Sequence, residues 1–89
     1  MGELAKLKNI GLKTEVWLND IGIYTLDDME ALGVVEVYKR LKQSRNDVSQ
    51  VALYALQGAV MDLHWNAIPE DIRLQLIADA TTALNEDGA

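Results

Sequence analysis

The spacing of apolar residues predicts a chain of short helices joined by tight turns. Apolar positions recur at helical intervals from Thr14 to Asp20, from Leu26 to Leu32 and from Val34 to Gln43. A helical turn from Glu3 to Lys8 precedes these segments, and the polar stretch 44–47 follows them as a loop. The pattern therefore predicts an all-α fold of about five short packed helices.

Residues 51–63 predict a central helix that is buried nearly all round. Ten of these thirteen residues are apolar, which leaves no polar face of useful width. Ala55, Gly58 and Ala59 lie on adjacent turns, where small side chains would let a neighbouring helix approach closely. The alternative use of these small residues is a seam between two copies of the chain.

Pro69 marks the start of a last helix, since its fixed φ suits the first helical position. Glu70 and Asp71 are favourably placed in the first turn of this helix. Its apolar stripe, which should dock on the core, comprises Ile72, Leu76, Ala80 and Ala83 or Leu84. We expect the tail 85–89 to fray.

Glycines mark the turns between the first helices. Three of them follow one another at intervals of 11 residues, each between two apolar residues: Gly11, Gly22 and Gly33. Glycine ends a helix without steric strain, and a threonine three residues later can cap the next helix. Thr14 and Thr25 occupy that position, and Asp28 follows Thr25 at the spacing of a capping box.

Length and composition limit the chain to one small domain without disulfides. The 89 residues have a mass of 9.9 kDa and include no cysteine, which also excludes thiolate zinc sites and cysteine nucleophiles. No apolar run is long enough to span a membrane, and the first residues lack the apolar stretch of a secretory signal. We expect one domain over residues 1–89, ordered from about 4 to 84, in the cytoplasm.

Charge is distributed unevenly along the chain. The net charge is −6, whereas nucleic-acid-binding proteins usually carry the opposite sign. Nearly all basic residues lie in the first half: Lys6, Lys8, Lys13, Lys39, Arg40, Lys42 and Arg45. Residues 51–89 contain only Arg73. This asymmetry permits a local positive face on an acidic protein, although ordinary solvated helix faces explain it equally well.

The sequence offers little support for catalysis or for a cofactor. His64 is the only histidine, so a histidine-rich metal site is excluded, and no nucleotide-binding loop occurs. Beside Trp65, His64 is expected to be partly buried and to bond a helix end. Trp17 and Trp65 are either core anchors or exposed interface residues. We therefore predict no enzyme, no metal and no cofactor.

Residues 7–18 resemble the hairpin of helix-hairpin-helix proteins. In that motif a leucine, a tight Gly-Ile-Gly turn, a basic residue and a capping Ser or Thr lead into a second helix. Backbone N–H groups at such a turn can hold a phosphate at the positive end of the helix dipole. The candidate nucleic-acid-binding residues are Asn9, Gly11, Lys13 and Thr14, together with Lys6 and Lys8. The chain departs from the motif in having Asn9 for the first glycine, a residue that tolerates left-handed backbone, and Glu15 for a small residue. The alternative is a purely structural turn.

The whole chain resembles the C-terminal domain of the TfoX (Sxy) family, which regulates DNA uptake competence in bacteria. The most specific part is the run Leu53-Tyr54-Ala55-Leu56-Gln57-Gly58-Ala59 followed by His64-Trp65. Further matches occur at Leu7, Asn9-Ile10-Gly11, Leu18, Ile21-Gly22-Ile23, Thr25, Asp28, Met29, Gly33, Val37-Tyr38 and Leu41. The resemblance implies a compact helix-hairpin-helix or SAM-like bundle that is associated with nucleic acid. Full-length members add a separate N-terminal domain and act as transcriptional coactivators in DNA transformation.

Two functions follow from the sequence. The first is a non-enzymatic, DNA-associated regulatory module that binds the phosphate backbone of double-stranded DNA weakly and in a salt-dependent way. The second is a protein-interaction module, either a homodimer or an adaptor for a transcription factor or RNA polymerase. The turn and the family resemblance favour the first function, and the net charge favours the second.

Overall fold

Helices and turns account for the part of the chain that the structure, a computed structural model, describes, namely residues 3–88. The five α-helices are α1 (Leu12–Asp20), α2 (Leu26–Leu32), α3 (Val34–Ser44), α4 (Gln50–Met61) and α5 (Glu70–Gly88). Two short 3-10 helices, Leu4–Lys6 and Trp65–Ala67, precede α1 and α5. No strand occurs between residues 3 and 88, and the predicted all-α fold with five helices is confirmed.

The start of α2 follows the predicted capping pattern. Thr25 Oγ1 accepts a hydrogen bond from the Asp28 N–H at 3.0 Å, and the Asp28 carboxylate accepts one from the Thr25 N–H at 3.2 Å. Gly33 ends α2 with a φ of 93°, a left-handed conformation that glycine adopts easily, and directly precedes α3. The sequence at residues 25–33 thus fixes both ends of a seven-residue helix.

The start of α1 differs from the prediction, because Gly11 and not Thr14 is its N-cap. Gly11 has an extended backbone, and its carbonyl oxygen already accepts the Glu15 N–H at 3.0 Å. Thr14 therefore lies inside the first turn of the helix and does not cap it. The left-handed residue of this turn is Asn9, with a φ of 70°, as its tolerance for that conformation allows.

The core forms around α3, which packs against α2, α4 and α5. Val37, Tyr38 and Leu41 are its buried side chains. Burial, together with the nearby Tyr54 hydroxyl, raises the pKa of Tyr38. The other fully enclosed apolar side chains come from the first 3-10 helix, α1, α2 and α4, and are Leu4, Leu18, Met29, Leu53 and Leu56. A single apolar core thus holds the helices together.

The prediction that α4 is buried nearly all round is wrong. Leu53, Leu56, Gly58 and Ala59 are buried, and the other residues of the helix are half-buried or exposed, because α4 packs mainly against α3 and the second 3-10 helix. Val51, at its start, is 46% exposed, whereas Gly58 and Ala59 are buried. The close approach that its small residues predicted does occur. The segment that approaches is the turn around Asn9, and not another helix. Gly58 is therefore occupied by a contact within the chain, and the alternative of a seam between two copies stays a prediction.

Helix α5 packs its predicted stripe against the core. Leu76 and Ala80 are buried, and Ile72 and Leu84 are partly buried against the same cluster. The helix continues to Gly88. Fraying of residues 85–89 stays a prediction, and Ala89, like Met1 and Gly2, lies outside the described residues. None of the helices over residues 3–88 is long and apolar enough to cross a membrane.

Candidate nucleic-acid interface

The turn before α1 is held in place by the side chain of Asn9. Its Nδ2 group donates hydrogen bonds to the Leu63 carbonyl at 2.8 Å and to the Ala55 carbonyl at 3.4 Å. Its Oδ1 accepts the Trp65 N–H at 3.0 Å. These three bonds, which we call the Asn9 latch, join the turn to the end of α4 and to the second 3-10 helix. The side chain that the sequence assigned to nucleic-acid binding is therefore turned into the fold.

Gly58 makes the latch possible, and the hairpin sequence alone does not reveal this. A Cβ atom at position 58 would lie 2.6 Å from the Leu63 carbonyl oxygen and in contact with Asn9 Nδ2. Such distances do not occur in folded proteins without a shift of the backbone. The close approach of Asn9 thus explains why a glycine, Gly58, stands in the most specific part of the family pattern.

Glu15 departs from the helix-hairpin-helix pattern, but its carboxylate does not face solvent beside the turn. The side chain is only 5% exposed, and its Oε2 accepts the Ala5 N–H at 3.0 Å. Glu15 thereby ties the first 3-10 helix to α1. The carboxylate that would oppose a phosphate at this turn is directed into the fold instead.

Gly11 leaves the first turn of α1 open to solvent. The residue is exposed, and no other atom lies within 4 Å of the position that its Cβ would take. As a glycine N-cap it has no side chain that could accept hydrogen bonds from the N–H groups of the first turn. These N–H groups carry the positive end of the helix dipole, which attracts anions.

The predicted lysines lie near this turn in sequence and are all exposed. Lys8 Nζ is 4.0 Å from Asp62 Oδ1, and because both side chains are exposed this ion pair holds the lysine weakly. Lys6 is in the first 3-10 helix. Lys13 lies over the Trp17 ring, with Nζ 5.3 Å from the ring centroid. Only Lys13 belongs to the first turn of α1.

Arg45 and Asp47 lie in the polar loop that the sequence predicts after α3. The sequence does not predict that they meet Lys13 at Trp17. The guanidinium carbon of Arg45 lies 4.4 Å from the centroid of the Trp17 ring. Arg45 Nε and Nη2 donate to the two carboxylate oxygens of Asp47, at 3.1 and 3.4 Å. Hydrogen bonding from Arg45, with smaller contributions from the charges of Arg45 and Lys13, lowers the pKa of Asp47. We call these four residues the Trp17 cluster.

His64 is exposed, and the prediction that it is partly buried is wrong. It precedes the second 3-10 helix, and its Nδ1 accepts the Asn66 N–H at 3.4 Å, so the predicted bond to a helix end is confirmed. The chain leaves α4 at Asp62 in a left-handed conformation and turns His64 outwards. The exposed position suits the polar imidazole ring. Among the described side chains, no group of three or more His, Asp or Glu could hold a metal ion.

These features define the class of protein. It is a small all-α domain that begins with a hairpin turn held by the Asn9 latch. Residues 1–80 match the TfoX C-terminal domain, and the chain belongs to that family. This is the family of competence regulators to which the sequence resemblance pointed, and that prediction is confirmed.

Individual relatives agree with this assignment. Protein Sxy of Escherichia coli (strain K12) is 31% identical over an alignment of 85 residues, and the match covers 93% of this chain and 41% of that protein. Two crystal structures of Listeria monocytogenes proteins, described as uncharacterized and of unknown function, are similar in fold. They are 33% and 30% identical, with TM-scores of 0.78 and 0.81, and the matches cover 82% and 89% of this chain and 83% and 98% of theirs.

Proposed function

We propose that this domain is a non-enzymatic regulatory module that contacts the phosphate backbone of double-stranded DNA at the start of α1. The observation that carries the proposal is the open N-cap at Gly11, where the N–H groups of the first turn are free of any capping side chain. Lys13 in that turn, with Lys6 and Lys8 before it, supplies positive charge. Thr14 adds a backbone N–H and a hydroxyl.

The kind of binding follows from these groups. Backbone N–H groups and lysines contact phosphates and do not read base edges, so binding is largely independent of DNA sequence. Few phosphates are neutralised, and the net charge of −6 opposes association. The domain therefore binds DNA weakly, and binding weakens further as salt rises.

The family supports a regulatory role for this contact. The TfoX C-terminal domain is shared with Protein Sxy. We propose that this domain takes part in the regulation of competence and of transcription. The chain spans less than half the length of Protein Sxy. A transcription factor or RNA polymerase in the cytoplasm would then supply the sequence specificity that the hairpin turn lacks.

Amide NMR spectra test the proposal residue by residue. The labelled protein is titrated with a short duplex of mixed sequence, first at low and then at physiological salt. We expect shifts from Gly11 to Thr14 and at the nearby lysines, and these shifts should fade as salt rises. Lys13→Glu should abolish them. Arg40→Glu, which makes the same change in charge at an exposed position of α3, is the matched control and should preserve them.

A titration without shifts at either salt concentration would exclude DNA binding by the domain. Shifts that Lys13→Glu and Arg40→Glu weaken equally would indicate attraction by overall charge, and not a contact at the turn. Shifts centred on α5 would move the interface to a helix with acidic residues in its first turn, which contradicts the proposal.

A second candidate function, homodimerisation, is favoured by an exposed apolar face on α1. Leu12 is 59% and Val16 57% exposed, and the spacing of four residues places them side by side. Sedimentation velocity over a concentration series tests this function directly. A dimer that dissociates in the double variant Leu12→Ser/Val16→Ser would support it. A monomer at all concentrations would leave the DNA-associated module as the function.

A further inference from the structure

The Trp17 cluster brings two cations from distant parts of the chain to one aromatic ring. Lys13 is in the first turn of α1, and Arg45 directly follows α3, 32 positions later. Both lie over the Trp17 ring, at 5.3 and 4.4 Å from its centroid. The ring holds the long side chains in place, since a cation is attracted to the face of an indole.

Asp47 is the carboxylate that hydrogen-bonds to Arg45, one of these two cations. Its two oxygens receive two parallel hydrogen bonds from Arg45. A guanidinium recognises a carboxylate and a phosphate with the same forked geometry. Lys13 shares the Trp17 ring with Arg45, which places both cations on the same side chain.

We infer that the Trp17 cluster is a phosphate-binding site, and that in the free protein Asp47 occupies the position which the phosphate takes when it binds. This inference rests on the proposed function and extends it, because it assigns Arg45 to the same contact surface as Lys13. A bound phosphate accepts the two hydrogen bonds of Arg45, and Asp47 turns out to solvent. The exposure of Asp47, 56% for its side chain, leaves room for that movement.

The two cations and one carboxylate leave the cluster with one net positive charge. That is enough to attract a phosphodiester, but Asp47 competes with it for Arg45. Asp47 therefore lowers affinity for phosphate, and removing its charge raises affinity. Removing the charge of Arg45 does the opposite.

Four single variants test the site with a matched pair of controls. Asp47→Asn and Arg45→Gln change the cluster. Glu36→Gln and Arg40→Gln make the same changes in charge at another exposed ion pair, in which Arg40 Nε lies 3.0 Å from Glu36 Oε2. Binding of a fluorescent duplex is measured by anisotropy over a salt series, after circular dichroism has shown that each variant is as helical as the wild type.

We expect Asp47→Asn to strengthen duplex binding at low salt, and Arg45→Gln to weaken it, by about two- to fivefold relative to their controls, as for an exposed ion pair. Arg45→Gln should also reduce the slope of log K against log salt by about one, the loss of one phosphate contact. If each cluster variant equals its control, Arg45 and Asp47 are not part of a site, and the proposed contact at Gly11 is unaffected.

A second readout separates failure of this inference from failure of the proposed function. The indole N–H signal of Trp17 is followed by NMR during a titration with inorganic pyrophosphate, and Trp65 serves as the internal reference. A Trp17 shift that is larger in Asp47→Asn, without any duplex binding, would establish the phosphate site and refute the DNA contact. If neither pyrophosphate nor duplex moves the Trp17 signal while the duplex still shifts the amides from Gly11 to Thr14, this inference is wrong and the proposed function stands. If those amides do not shift either, both proposals are wrong.

Discussion

Asn9 performs two functions at one position of the chain. Its backbone adopts a left-handed conformation, and its side chain forms three hydrogen bonds to main-chain groups of distant residues. Glycine could supply the first function and a longer polar residue part of the second. Asparagine combines them, since it tolerates this backbone and carries both a donor and an acceptor close to it.

Two substitutions at position 9 separate these functions. Asn9→Gly keeps the backbone conformation and removes the latch, and should lower the free energy of unfolding by about 1–3 kcal/mol because main-chain partners lose their bonds. Asn9→Ala should lower it by a further 1–2 kcal/mol or so, the strain of a left-handed alanine. Urea denaturation measures both, with exposed Asn46→Ala as the control. Equal stability of the three variants would contradict the latch.

Gly58→Ala tests the same contact from the other side. Alanine normally stabilises a helix relative to glycine by about 1 kcal/mol. Here the added methyl group collides with Asn9 and the Leu63 carbonyl, so we expect the net effect to be a loss of about 1–3 kcal/mol in unfolding free energy. Gly11→Ala, where the space is open, should change stability by less than about 1 kcal/mol. A stabilised Gly58→Ala protein would refute the close approach.

At the scale of helices, α1 and α2 show how similar sequences start differently. Both follow a glycine flanked by apolar residues, with a threonine three positions later. Thr25 caps α2, whereas the chain is already helical when it reaches Thr14. The difference comes from the turn before each helix, because Asn9 rather than Gly11 adopts the left-handed conformation and so brings the start of α1 forward.

Removal of the two threonine side chains should therefore have unequal effects. Thr25→Ala deletes the acceptor for the Asp28 N–H and should lower thermal stability by about 1 kcal/mol. Thr14→Ala deletes no cap, and we expect a change below about 0.5 kcal/mol. Thermal melts followed by circular dichroism compare the two, and an equal loss in both variants would mean that Thr14 has a bonding role after all.

The helices could be predicted from the sequence, because the residues that mark a helix end lie within a few positions of it. Gly33, Pro69 and the Thr25–Asp28 box each mark an end of a helix without reference to the rest of the chain. The contacts of the candidate site span much longer separations. Asn9 meets Trp65 across 56 positions, and Arg45 reaches Trp17 from the loop after α3. Periodicity carries no information about such pairs, so the latch and the Trp17 cluster emerged only from the structure.

On the scale of the whole molecule, a compact acidic body carries nearly all of its basic residues in the first half of the chain. The radius of gyration of the Cα atoms is 12.2 Å, close to the roughly 12 Å typical of a folded chain of this length. The net charge of −6 acts on any approaching DNA over a distance set by salt. Overall charge and local contacts should therefore have different salt dependences.

Neutralising two remote acidic residues tests this distinction. The double variant Glu30→Gln/Asp79→Asn, on α2 and α5, reduces the net charge from −6 to −4 without touching the hairpin turn. We expect it to strengthen duplex binding at low salt and to have little effect at about 0.15 M salt, where screening acts within about 8 Å. Anisotropy titrations at both salt concentrations measure this. A gain that persists at high salt would place one of the two residues at the interface.

The Asn9 latch also determines at what point during synthesis the hairpin turn is fixed in place. During synthesis the hairpin turn is made before its partners Leu63 and Trp65, which follow 54 and 56 residues later. Closing so long a loop is slow compared with forming the local turns of α1 and α2. A nascent chain that ends before residue 63 has the Gly11 turn but lacks two of the main-chain groups that the Asn9 side chain bonds. The latch therefore closes only after residues 63–65 have been made.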